Sequence, residues 1–272
     1  MVGGERSDAT ARERYWNEDY VRYWRERVAE ANLGGSLTSG MVTGDAKTSS
    51  DTVYVNAIAL LQIGASDTVL ELGCGFGRSL PLLTGTARHV TAVDISKEMI
   101  SEAKKATSAT NITFQVSPSE SLPLADGMFD VVVCFAAFDA MYQAEALVEM
   151  NRVSRVGARI LITGKNDNYD DDDTAAWDAE VGARAKHHPN YFTDVKKLID
   201  NIQRFGFQVA AQRYYRRRGD FGRGEFEEMM PEQYYDYLLV LSKVSECDPT
   251  SLLSISDKVS KTYSRLQRIG QP

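Results

Sequence analysis

Val69-Leu70-Glu71-Leu72-Gly73-Cys74-Gly75-Phe76-Gly77-Arg78 reads as a short buried strand that breaks into three glycines set two apart and then opens a helix. Glycine lets the backbone turn sharply there, with amide hydrogens facing a ligand at the helix start. Alone this is weak, because turns are glycine-rich anyway. The next apolar strand adds the weight: Val90 to Val93 is closed by Asp94, 17 residues beyond Gly77. A carboxylate at that place can accept both hydroxyls of a ribose. A dinucleotide fingerprint is Gly-x-Gly-x-x-Gly, and its third glycine packs the helix on the strand; here that position is Arg78.

Outward from this loop, short apolar runs at Thr68 to Leu72, His89 to Val93, Ile112 to Val116, Val131 to Phe135 and Arg159 to Thr163 alternate with helical or turn-rich stretches. That is the pattern of βαβ units with a parallel sheet. A further helix is expected to start at Thr193 as N-cap, bury Val195, Leu198, Ile199 and Ile202, and stop at Gly206. Phe207 to Tyr215 and Tyr234 to Val244 come next without a crossover helix, so they should pair antiparallel, the second inserting into the sheet. The expected fold class is α/β: a seven-stranded, mostly parallel sheet with helices on both faces and the last strand antiparallel.

Before the core, Thr10 to Ala31 carries Trp16, Tyr20, Tyr23, Trp24 and Val28 on one helical face. Such a face is more often core packing than a binding box. Gly34, Gly35, Gly40 and Gly44 then make a loop. Ser50 and Asp51 can cap the next helix, through Val53, Ala57, Leu60 and Leu61. The chain divides into an N-terminal helical arm and hinge (1–50), a core (51–244) and a tail (245–272) to which no role is assigned.

The 272 residues suit one large α/β domain with appendages. A net charge of −7 disfavours a phosphate-rich partner, so nucleic acid is not expected. No stretch approaches a spanning helix and the N-terminus is polar, so a cytoplasmic protein with no membrane partner is expected. Cys74, Cys134 and Cys247 are far apart without Cys-x-x-Cys spacing and read as free thiols, and no metal site is expected. A homo-oligomer stays open.

At this point the chain resembles the class I, Rossmann-like S-adenosylmethionine-dependent methyltransferases, most of all the ubiquinone and menaquinone biosynthesis type, whose members methylate many small molecules. The echoes are Glu71 to Gly77, Val93-Asp94-Ile95-Ser96, Leu122-Pro123-Leu124-Ala125-Asp126-Gly127-Met128-Phe129-Asp130 and Arg152-Val153, in the expected order over about Asp51 to Thr163. The resemblance implies S-adenosyl-L-methionine as cofactor, with Glu71, Gly73 and Gly75, and Cys74 between them, at its methionine end. It implies Asp94 on the ribose, Ile95 against the adenine and Phe135 beneath the methionine. Pro118 stands where the family often carries an adenine-binding Asp, so Ser119 and Glu120 are the substitutes, through a backbone amide or a side chain.

In an open parallel sheet ligands bind past the carboxyl ends of the strands. After strand four, Phe138 is a candidate substrate contact, and Asp139 could accept a proton or hold a cationic substrate; helix capping is its equal alternative. After strand five, Tyr169 is a candidate contact, and Asp170 to Asp173 read as a solvated charge run rather than a metal site. His187 and His188 are candidate bases near neutral pH, against a surface loop ended by Pro189. The aromatic arm, with Tyr15 and Tyr23 as substrate contacts, is suited to close as a lid. Arg213 and Arg216 to Arg218 form a basic patch that could bind an anion or pair with surface carboxylates. The expected activity is N- or O-methylation of a polar small molecule such as a sugar, amino sugar or natural-product intermediate. The alternative is a non-catalytic fold that binds cofactor or a partner protein, with RNA or protein methylation further behind.

Overall fold

The computed structural model describes residues 11–23, 25–26, 50–247 and 253–257. Five strands lie parallel in the order β3 (Ile112–Val116), β2 (His89–Asp94), β1 (Thr68–Leu72), β4 (Phe129–Cys134) and β5 (Ser154–Lys165). Beyond β5 the sheet continues with β8 (Asp236–Lys243), antiparallel to it, and ends on β7 (Phe207–Tyr215). The hairpin of β7 and β8 therefore inserts its second strand, as its lack of a crossover helix requires.

Strands buried on both faces read as continuous apolar runs, and this sheet shows why. Leu70, Leu72, Val132, Cys134, Ile160 and Ile162 face one core, where α4 (Gln143–Val153) supplies Leu147 and Met150 and α6 (Val195–Asn201) supplies Leu198. Val69, Val131, Val133 and Leu161 face the other, against Ala57 and Ile58 of α1 (Ser50–Ala59), Leu80 and Leu83 of α2 (Leu80–Thr84), and Ile100 and Ala103 of α3 (Lys97–Ala106). Cys74 and Cys134 are buried free thiols, and Cys247 is a half-buried one. Among the described residues no helix is long and apolar enough to cross a membrane.

Several boundaries differ from the sequence reading. Thr193 is not an N-cap: it sits in β6 (Phe192–Thr193), and Asp194 caps α6 by accepting from the Lys197 amide. The buried Thr193 hydroxyl is held between Gln143 and Tyr237 at 2.9 and 2.6 Å, so tertiary contacts take the side chain that capping would use. Gly206 does end the helical stretch, in the left-handed region at φ 77°. β5 runs well past both ends of its apolar centre: Ser154 pairs with Phe129 of β4 at one end, and β8 extends the ladder to Lys165–Asp236 at the other. The tail returns to the core: β9 (Ser256–Asp257) pairs with β6, and Ile255 is buried. The glycine-rich hinge, Gly34 to Gly44, and Trp24 and Val28 of the aromatic face lie outside the described residues.

Strand order reverses between β1 and β4, so the crevice between their carboxyl ends is where this topology binds ligands. The turn leaving β4 is constrained to suit. Ala136 has φ 53°, unusual for a residue with a Cβ, and its amide donates to the buried Thr163 hydroxyl at 2.7 Å. Thr163→Val keeps the shape and removes the acceptor. It should lower stability by about 1–3 kcal/mol, read from the urea midpoint; an unchanged midpoint would show that water satisfies Ala136.

Candidate active site

The glycine loop leaves β1 with Gly73, Gly75 and Gly77 all at positive φ, 69°, 51° and 82°. Gly73 and Cys74 donate to the Val93 carbonyl at 2.8 and 3.0 Å, tying the loop to β2. The reason for glycine differs along the loop. A Cβ on Gly73 would run into the Ala137 side chain beside the β4 turn, and one on Gly77 would meet Leu80 at 2.8 Å and Ala103 at 3.2 Å. A Cβ on Gly75 would meet nothing within 4 Å. Gly75 therefore borders open space, and its neighbours fix the walls.

Asp94 ends β2 opposite this space. One carboxylate oxygen accepts from the Gly75 amide at 2.9 Å and the other from the Ser96 amide at 2.8 Å. Burial pushes its pKa up to about 6, against the pull of those amides. Glu71 is deeper: Oε1 accepts from the Ser79 hydroxyl, while the buried Oε2 has no partner. Burial raises the Glu71 carboxyl to about 7, with the Ser79 bond pulling down and the Asp94 charge pushing up. An unpaired carboxylate oxygen beside an open glycine cradle fits a cationic, polar ligand group. Ile95 is half-buried and Cys74 buried in the same turn region.

The other expected cofactor contacts divide. Phe135, just past β4, packs on Tyr54 at 4.2 Å and edge-on to Phe221 at 5.5 Å. Ser119 is buried. Glu120 is committed to the N-terminal helix: its carboxylate receives Arg12 in a two-pronged pair at 2.5 and 3.0 Å and accepts the Tyr142 amide at 2.7 Å.

That helix lies across the strand ends. It contains a π-turn at Tyr15–Asp19, with the Tyr20 amide bonded to the Tyr15 carbonyl. Tyr15 and Val21 are buried, while Trp16 and Tyr20 are only partly covered. Arg12 stacks on Tyr142 at 4.3 Å, Asn17 accepts from Ser96 Oγ and the Lys97 amide at 3.1 Å each, and Tyr20 stacks with Phe76 of the glycine loop at 6.5 Å. Tyr23 lies farther out, its face covered by the Lys186 ammonium at 3.9 Å.

At the β5 end, Asp139 is buried in a 3-10 turn and is not its cap; one oxygen accepts the Lys165 amide at 2.9 Å. Burial raises it to about 6, against the Lys165 charge. Asp236, the register partner of Lys165, is pushed to about 7 by burial, again against Lys165. Burial works to lower the Lys165 ammonium, yet Glu180, Asp139 and Asp236 hold it above its ordinary value. Lys165 reaches Glu180 at 3.5 Å, and Tyr235 donates to Glu180 at 2.8 Å. His188 Nδ1 meets the Tyr15 hydroxyl at 2.9 Å. Asp139 and His188 thus flank Lys165, whereas His187 is exposed at φ 55°.

Phe138 is fully buried in the main core, and Tyr169 is fully buried in a satellite cluster with Tyr235 at 5.3 Å and Trp177 at 5.9 Å. Asp170 to Asp173 are a solvated run only in the middle: Asp171 and Asp172 are exposed, while Asp170 and Asp173 are buried. Asp170 pairs with Arg216 at 3.1 Å, Asp172 with Arg217 at 2.8 Å, and Asp173 caps α5 (Thr174–Ala185) while accepting the Arg218 amide. The basic patch and the acidic run are each other's partners. Arg12, Asn17, Glu180 and Asp236 went unread, because nothing local in the sequence marks which polar residues two distant segments will share.

Comparison with known proteins bears on this site. Residues 70–162 match the family model of the methyltransferase domain. That domain spans the glycine loop, Asp94, Asp139 and most of β5. The ubiquinone/menaquinone biosynthesis C-methyltransferase UbiE of Geotalea uraniireducens (strain Rf4) is 29% identical over 39% of this chain and 48% of that protein. The O-methyltransferase resE of Aspergillus sclerotiorum is 31% identical over 38% of this chain and 42% of that protein. This chain therefore spans about half the length of the curated relatives it matches. Among solved structures, an S-adenosylmethionine-dependent methyltransferase from Mesorhizobium loti superposes with a TM-score of 0.58 at 14% identity, covering 72% of this chain and 99% of that one. At that identity the likeness shows the fold.

Glu71 sets a pH dependence for the unliganded domain. Its folded value, about 7, lies above the ordinary 4.5, so the folded state holds the proton more tightly and loses stability as pH rises through that window. Denaturant titrations at pH 5 and 7.5 should show a fall that Glu71→Gln reduces by about 2 kcal/mol. Equal slopes in both proteins would place the titration elsewhere.

Proposed function

We propose that this chain is a cytoplasmic S-adenosylmethionine-dependent methyltransferase that methylates a nitrogen or oxygen of a polar small molecule: a sugar, an amino sugar or a natural-product intermediate. The observation that carries it is the open cradle at Gly75, faced by the buried carboxylates of Asp94 and Glu71. In this reading Asp94 keeps lone pairs for the ribose hydroxyls while holding the Gly75 and Ser96 amides. The unpaired Glu71 oxygen takes the methionine ammonium, and Gly73, Cys74 and Gly75 supply the close backbone. Ile95 and Ser119 border the adenine, Glu120 locks the helix above it, and Phe135 forms the floor.

When bound, the cofactor supplies a methyl carbon already activated by its sulfonium, so the chain need only align the acceptor, exclude water and, for a hydroxyl, receive a proton. Residues 1–50 act as lid and hinge over the core 51–244, with Tyr15 and Tyr23 on the acceptor side. Of the candidate bases, Asp139 fits best: its pKa of about 6 lets it be ionised yet basic at neutral pH. His188 is held too acidic, at about 3, to take a proton readily, and His187 faces solvent. The net charge of −7 favours a small molecule over nucleic acid as partner.

Calorimetry with S-adenosylmethionine should show one site per chain. Asp94→Ala removes a charged acceptor and should weaken binding by about 1.5–3 kcal/mol, and Gly75→Val should abolish it by filling the cradle. No binding by the wild type ends this reading, and a Gly75→Val protein that binds normally makes the loop purely structural. With a hydroxyl acceptor, Asp139→Asn should lower turnover about a hundredfold at unchanged cofactor affinity; wild-type turnover would move the base elsewhere.

A further inference from the structure

The polar contacts that hold the N-terminal helix down include Arg12 to Glu120, Asn17 to Ser96 and Lys97, Arg25 to Glu98 and Glu102, and Tyr15 to His188. Of these, the last contains a group whose charge changes between pH 5 and 8 in its free form. His188 is half-buried, and one side of its ring is covered by the helix itself. Its ring lies 5.0 Å from Trp16, 5.3 Å from Tyr15 and 6.0 Å from Tyr20, the first two edge-on. The rest of its surroundings come from the core: Lys165 at the end of β5 and Lys186 at the end of α5.

We propose that His188 is a proton-operated latch on the cofactor cleft: the N-terminal helix closes over a neutral imidazole, and protonation of that imidazole releases it. The inference rests on the methyltransferase reading only for what the cleft holds; the latch itself is a property of the helix and its seat.

The physics has one sign throughout. An imidazolium in this seat would lose its hydration to three aromatic rings and would face Lys165 and Lys186, two like charges. The acids near this corner do not offset this: Asp139, Glu180 and Asp236 are grouped about Lys165, and Asp19 of the helix adds its charge to the Tyr15 phenol rather than to the imidazole. Burial, then the two lysines, bring the closed His188 down to about 3. With the helix lifted, solvent restores an ordinary value near 6.5. Closing therefore expels a proton below about pH 6.5, and the ratio of closed to open helix falls about tenfold between pH 7.5 and 5.5. Since cofactor entry and product exit must pass this helix, acid should weaken cofactor retention, and bound ligand should in turn make His188 harder to protonate.

The chain has three histidines, His89, His187 and His188, which makes each assignable by NMR of histidine-labelled protein with single His→Gln variants. Expected is a His188 midpoint well below 6.5, lower still with S-adenosylhomocysteine, and upward movement in Tyr15→Phe. Asp94 and Glu71 titrate in the same range, so the dissociation rate of S-adenosylhomocysteine at pH 7.5 and 5.5 compares wild type with His188→Gln. Release from the wild type should speed up about tenfold more on acidification than release from the variant, because the ligand leaves through the open helix. A His188 midpoint near 6.5, or equal acid accelerations in the two proteins, overturns the latch. If S-adenosylhomocysteine binds neither protein at either pH, the methyltransferase reading falls, and the His188 midpoint alone then decides the latch.

Discussion

The turn between β1 and α2 is the constraint on which the rest of the site depends. Gly73 has no room for a side chain because the β4 turn presses Ala137 against it, and Gly77 has none because α2 and α3 close on it. Between them Gly75 is held by Asp94 and opens on free space. A single buried carboxylate thus shapes the loop and remains available, through its second pair of lone pairs, to a ligand. The strained Ala136 turn on the facing strand completes the crevice at the point where strand order reverses.

Covering that crevice with a helix changes the chemistry below it. Two titratable groups near the cleft, Glu71 and Asp94, are moved toward neutrality mainly by loss of water. At the β5 end the same desolvation acts on Asp139 and Asp236, but there Lys165 opposes it. The site therefore has two electrostatic regions: an anionic cofactor side with an unpaired carboxylate oxygen, and a mixed corner in which three carboxylates share one lysine. The Arg12–Glu120 pair joins them from above, since Glu120 also fixes the Tyr142 amide that leads into α4.

The β5–α5 connection has a structural task that its composition conceals. Four consecutive aspartates would repel one another in water, yet Asp170, Asp172 and Asp173 each meet an arginine side chain or amide from 216–218. This cross-link pins the segment after β7 to the segment after β5. Exposed pairs of this kind contribute little singly; their effect here is to fix which loops adjoin.

The sequence by itself determined the parallel core, its strand positions, the inserted last strand and the pairing of the glycine loop with Asp94. These are local signals: apolar runs, glycine spacing and a carboxylate at a strand end each report on a few adjacent residues. Tertiary structure decided the rest, because it depends on which distant segments meet. Thr193 became a strand residue bonded to Gln143 and Tyr237, Tyr169 vanished into a satellite core, and Tyr15 met His188, 173 positions away. A side chain's pKa, its exposure and its partner are properties of that packing, and no periodicity along the chain encodes them.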